Sequence, residues 1–92
     1  QGIVTSETEF KNDLKDGSYY RKNSKGEWIE KGSFKEGKEA GEWTFYYLGA
    51  DGNGIKTKVS FLNGEKEGTE YNYYKDGVVE SQGNYIAGVR SG

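Results

Sequence analysis

The sequence predicts an all-β protein, an elongated single-layer antiparallel sheet of stacked β-hairpin repeats with about seven strands. Three observations predict it. First, one motif occurs four times, as FKNDLKDG from Phe10, FKEGKEAG from Phe34, FLNGEKEG from Phe61 and YIAGVRSG from Tyr85. The leading aromatics stand 24, 27 and 24 residues apart, and each copy closes on a glycine seven places later. Such a period marks supersecondary units that bury their apolar side only against a neighbour. Second, the residues leading into each motif alternate with period two, as a half-buried strand does. Third, no window places apolar residues at three-four spacing between helix caps.

In the first strand Val4, Ser6, Thr8 and Phe10 share one side, and Thr5, Glu7 and Glu9 the other. The register returns as Trp28, Glu30, Gly32 and Phe34, then Ile55, Thr57, Val59 and Phe61, then Val79, Ser81, Gly83 and Tyr85. Ile29, Lys31 and Ser33, then Lys56, Lys58 and Ser60, then Glu80, Gln82 and Asn84 lie between them, so the alternation predicts one apolar face and one almost wholly polar, wet face. Each motif is expected to form a turn and a short loop, after which a second strand opens on glycine. These strands read GSYYRKN from Gly17, GEWTFYYL from Gly41 and GTEYNYYK from Gly68. Their rings fall on both parities: Tyr19, Trp43, Phe45, Tyr47 and Tyr74 on one, and Tyr20, Tyr46, Tyr71 and Tyr73 on the other. Both faces of the second strands must therefore meet something.

The return connections are NSKG from Asn23, GADGNG from Gly49 and KDG from Lys75, with the Asp-Gly and Asn-Gly steps that hairpin turns require. The central repeat's three extra residues are expected in GADGNG. Asp13 stands where Gly37, Gly64 and Gly88 stand in the other motifs, and Asp tolerates the left-handed region better than most residues. The expected organisation is one domain over 1–92, with a half-repeat 1–16 and repeats 17–40, 41–67 and 68–91. At a strand spacing near 4.8 Å the array would extend roughly 30–35 Å. Because the sequence stops in mid-repeat at both ends, a fragment or an array capped by something else is the expectation, with self-association through sheet edges as a further one.

Composition narrows the function classes. Of 92 residues, 32% are hydrophobic and 15% are Phe, Trp or Tyr, so rings with polar tips must supply most of a thin core. Those rings and the repetition argue against disorder despite 30% charge. Without His or Cys there is no imidazole base, thiol nucleophile, disulfide or zinc site of the usual kinds. No run of eighteen apolar residues occurs, so no transmembrane segment is expected. A net charge of −2 with both signs interspersed gives no footprint for nucleic acid or an anionic membrane surface. Gln1 can follow a removed signal, and a secreted or cell-envelope setting is the slightly favoured expectation.

The remaining candidates are weighed against plain structural roles. Fifteen glycines hold no phosphate-loop or dinucleotide motif, and their periodic placement makes them turn formers. Asp51 and Asn53 faintly suggest a calcium loop, but the twelfth position from Asp51 is Leu62 where a bidentate Glu is needed. No metal or cofactor is therefore expected. Most carboxylates, such as Glu36, Glu39, Glu65 and Glu67, adjoin lysines as in solvated turns, whereas Glu30 points to the apolar side. The strongest functional candidate is the aromatic ladder of Trp43, Phe45, Tyr46, Tyr47, Tyr71, Tyr73 and Tyr74, of which about half should be core on parity.

Gly41, Trp43, Tyr46, Gly52, Phe61, Gly64 and Gly68 follow one order: a glycine, a ring, a second ring, a hairpin glycine, then a ring, a turn glycine and, four residues on, a second glycine. In this the chain resembles the MORN-variant repeat over nearly everything from Phe10 onward. It departs at Arg21 and Lys22, where the other second strands carry rings, and at Glu70, which takes the place of Trp43. The resemblance implies a row of hairpins in one twisted sheet and a non-enzymatic protein-interaction role, with a bacterial antitoxin or immunity protein as its sharpest form. The alternative is a cell-surface or secreted carbohydrate-binding module using the exposed rings.

Overall fold

The computed structural model describes residues 5–47 and 54–91. It contains β1 (Thr5–Lys11), β2 (Leu14–Lys22), β3 (Trp28–Lys35), β4 (Lys38–Tyr46), β5 (Ile55–Leu62), β6 (Glu65–Lys66), β7 (Gly68–Tyr73), β8 (Val79–Ile86) and β9 (Val89–Arg90). All belong to one open antiparallel sheet paired in chain order, with β6 and β7 both on β5. Glu67 alone separates β6 from β7, so they form one interrupted ribbon. The short β9 adds an eighth ribbon to the seven that the alternation predicts. No helix occurs among the described residues. The sheet measures 36 × 35 × 16 Å, and its depth is that of a twisted layer.

The third and fourth residues of each motif form a turn with both backbone angles positive: Asn12–Asp13 (φ 53° and 67°), Glu36–Gly37 (50° and 86°), Asn63–Gly64 (53° and 83°) and Ala87–Gly88 (49° and 84°). That geometry suits the right-handed twist of the flanking strands. Every later turn is tied to the hairpin before it. The N–H groups of Gly37, Gly64 and Gly88 donate to the carbonyls of Lys15, Glu39 and Lys66 at 2.8, 2.9 and 2.9 Å. Two turns have a second tie, because the Asp16 and Glu67 carboxylates accept from the N–H groups of Glu36 and Ala87. In the central copy Ala40 supplies no such carboxylate, and the turn residue is Asn63, which tolerates the left-handed region by itself.

The expected short loop after each turn is strand instead, since β2, β4, β6 and β9 begin directly beyond it. The repeat glycines Gly17, Gly41 and Gly68 mark register jumps within the second strands, at φ 111°, 74° and 90°. Each is paired with the leading ring of the next motif, as Gly17 with Phe34, Gly41 with Phe61 and Gly68 with Tyr85. At the opposite end of the hairpins, the N–H of Asn23 donates to Glu27, that of Tyr47 to Gly54 and that of Tyr74 to Val78. These equivalent pairs place the central repeat's extra length between Tyr47 and Gly54. Residues 48–53, with Asp51 and Asn53, lie outside the described residues, as do Gln1–Val4 and Gly92.

Strict alternation fails at one repeated point. Glu30 pairs with Arg21, but Trp28 pairs with the next residue, Lys22. Likewise Thr57 faces Phe45 while Ile55 faces Tyr46, and Ser81 faces Asn72 while Val79 faces Tyr73. A bulge adds a residue to one strand and inverts the faces beyond it. Trp28, Ile55 and Val79 therefore stand on the face opposite Phe34, Phe61 and Tyr85, contrary to the parity expectation. The core proper is small: Trp43 (5% exposed) and Val59 (2%), with Thr44 and Thr57 also buried.

Candidate interaction surface

One face is organised by Trp43. Its indole lies across Gly32, where a methyl group would strike the ring. The indole N–H donates to the Ser33 carbonyl at 3.0 Å. Tyr19, Phe34, Phe45 and Phe61 surround it, with ring centroids 5.3, 5.1, 6.2 and 6.0 Å away. Lys15 caps Phe34 with its ammonium 4.9 Å from the ring centre. Trp43 and Phe45 thus belong to the packed face and not to a free ladder. Glu30 does point to this side, where its carboxylate accepts from the Tyr19 hydroxyl at 2.6 Å and pairs with Arg21 at 3.3 Å. Burial, followed by that carboxylate, pushes the Tyr19 phenol up to about 12.

The other face carries a cross-strand row in which neighbours are directly paired: Glu7, Tyr20, Lys31, Thr44, Lys58, Tyr71 and Gln82. Through its bulge Trp28 joins this face, 5.5 Å from Tyr20 edge-on and 6.1 Å from Tyr46 in a stack tilted by 23°. Lys22 and Lys31 hold their ammonium groups 4.4 and 4.9 Å from the Trp28 ring centre. Beside these rings lies a shallow depression of about 310 Å³ lined by Tyr20, Trp28, Lys31, Glu42 and Thr44 among others. Farther along, Tyr71 and Tyr73 sit 6.4 Å apart on the same face.

The sequence-derived ladder is therefore divided. Trp43 and Phe45 pack inward, Tyr46, Tyr71 and Tyr73 stand on the opposite face, and Tyr47 and Tyr74 lie at the strand ends. Tyr47 donates its hydroxyl to the Tyr73 carbonyl at 2.6 Å, and Tyr74 is 52% exposed. Tyr20 and Trp28 are additions. Tyr20 shared the parity of Tyr46, which was the signal for it, but nothing in the alternation marks the bulge that redirects Trp28.

Among the described residues no group of three or more acidic side chains is placed to hold a metal ion. No helix there is long and apolar enough to cross a membrane. No protein-family model, curated protein or solved structure matches the chain. The likeness to MORN-variant repeats accordingly rests on the motifs alone.

Proposed function

We propose that this chain is a non-enzymatic protein-interaction module whose binding surface is the Trp28 face. One observation carries the reading: Tyr20, Trp28 and Tyr46 are only half-buried, with lysine heads across Tyr20 and Trp28, on a sheet that packs its core on the other side. Rings held rigidly by a sheet lose little freedom on binding, and Trp and Tyr dominate interface energetics. The ammonium groups suit a partner presenting carboxylates around an apolar centre. Within this reading, neutralisation of a bacterial toxin is the specific role that the MORN-variant resemblance supports. Absence of catalysis is part of the proposal: Glu30 and Glu70 are each paired with a cation, and the depressions are shallow.

The test is ring-dependent capture of a partner from the source organism's lysate. Trp28→Ala is expected to weaken capture by about thirtyfold, the scale of a central aromatic anchor. Phe10→Ala, remote from this face, should leave it unchanged. Equal capture by all three forms contradicts the proposal. A carbohydrate ligand is the second reading, favoured by the near-parallel Trp28 and Tyr46 rings, and a glycan array with a Trp28-dependent signal would support it instead.

A further inference from the structure

The Trp43 face holds a shallow depression of its own, of about 240 Å³, lined by Lys15, Glu30, Glu39, Phe34, Phe45 and Phe61 among others. These residues belong to β2, β3, β4 and β5, each of which has a neighbouring strand on both sides. The site is therefore interior to the sheet and independent of the Trp28 face.

One position recurs beside the leading rings. The sixth residue of a motif, whose carbonyl accepts from the turn glycine of the next motif, is Lys15, Glu39 and Lys66 in successive copies. From this position Lys15 and Lys66 each hold an ammonium 4.9 Å from the centre of the next leading ring, Phe34 and Tyr85 respectively. The π face of a ring attracts a cation in this way. The central copy breaks the pattern, because Glu39 brings a carboxylate to the depression beside Phe61. Among the described residues no ammonium or guanidinium lies over Phe61, and Glu39 makes no ion pair. Glu30, the other carboxylate here, already accepts from the Tyr19 hydroxyl and pairs with Arg21. Phe61 and Glu39 are thus two parts of a cation site whose cation the described residues do not supply.

We infer that this depression binds a quaternary ammonium group, seated between the Phe61 ring and the Glu39 carboxylate. Two carboxylates against one ammonium in the lining favour a positive ligand. A methylated cation suits the site better than a bare ammonium, which has three N–H groups to satisfy where one carboxylate is unengaged. The depression is smaller than the roughly 300–1,000 Å³ of pockets that enclose a whole drug-sized ligand, so it holds a head group and leaves the rest in water.

The probe is choline chloride, titrated against the intact 92-residue chain and followed by NMR of the Phe61 ring and the Trp43 indole N–H. The control is its neutral isostere, with a tert-butyl group in place of the trimethylammonium. Choline is expected to bind saturably and about tenfold more tightly than the isostere. Glu39→Lys gives Phe61 the built-in ammonium that Phe34 and Tyr85 have, and should abolish binding. Glu39→Gln, which keeps the side chain's size, should weaken it about fivefold. A parallel titration with Nε-trimethyllysine amide separates the two sources of such a group. Tighter binding than choline supports the site with a protein side chain as its ligand, and weaker binding supports it with a free head group. Equal binding of choline and its isostere, shifts that miss Phe61, or undiminished binding by both Glu39 variants overturns the inference.

Discussion

Two parts of one sheet, built from the same repeat, hold themselves together differently. Around β3–β5 a glycine without a side chain, Gly32, admits an indole, and four further rings close around it. Around β7–β9 the equivalent of Trp43 is Glu70, bound to Lys66 at 3.0 Å, and the equivalent of Gly32 in β5 is the bulky Val59. Polar links from Thr57 to Asn72 at 2.8 Å and from Asn72 to Ser81 at 3.4 Å continue across the layer. Trp43 and Glu70 each have one bare and one valine neighbour: Trp43 lies across Gly32 and pairs with Val59, while Glu70 pairs with Gly83 on the far side of that same valine strand. Apolar exposure does not follow this division, since residues beside the turns are exposed in both regions, Leu62 at 57% and Ile86 at 63%.

The largest break in this comparison should come from Trp43→Ala, which removes the ring that all the others touch. It is expected to cost about 3–5 kcal/mol in urea denaturation. Glu70→Ala, at the equivalent place, forfeits a half-exposed ion pair and should cost less than about 1 kcal/mol. Near-equal losses would show that the two regions are not different in kind. Next in size is the glycine pair. Gly32→Ala drives a methyl into a buried indole and should lose about 1–3 kcal/mol, whereas Gly83→Ala moves only Arg90 and should stay within about 0.5 kcal/mol.

A pH series sharpens the comparison from the ring-rich side. The Tyr19 phenol is raised from 10.0 to about 12 in the folded chain, so folding favours its neutral form. The associated stability is complete below pH 10, where the phenol is neutral folded or unfolded, and is lost as the pH rises towards 12. Tyr19→Phe should flatten the dependence of the denaturation midpoint in that window and cost about 1 kcal/mol at neutral pH. An unchanged slope in the variant would remove the Tyr19–Glu30 contact from the account. The smallest effect belongs to the turns. Ala87 holds φ 49° without the polar side chain that suits Asn63 to the same geometry. Ala87→Gly should therefore gain about 0.5–1 kcal/mol and Asn63→Gly nearly nothing, read from thermal midpoints.

Much of this architecture was legible in the sequence, because turns and repeats are written in local residue types. The spacing of the repeated motif locates four turns, the left-handed tolerance of Asp13 agrees with its φ of 67°, and the central insertion falls between Tyr47 and Gly54. What escaped depends on pairing between strands. Period two carries through a strand only where the ladder is regular, and one bulge ahead of each of Glu30, Thr57 and Ser81 inverts everything before it. That is why parity alone puts Trp28 on the wrong face, and why the ladder from Trp43 to Tyr74 separates into inward and outward members. The segment after each turn read as loop because its lysines and glutamates suit solvent, yet an open sheet leaves such residues exposed within a strand.

Native-state amide exchange of the intact chain tests the central claim most directly, namely that a stack of hairpins is anchored where rings cross bare backbone. Thr44 and Val59, beside the Trp43 cluster, are predicted to exchange only through global unfolding, while Gln82 and the β1 amides open at several kcal/mol less. Uniform protection from β1 to β9, or slowest exchange in β8, would contradict it.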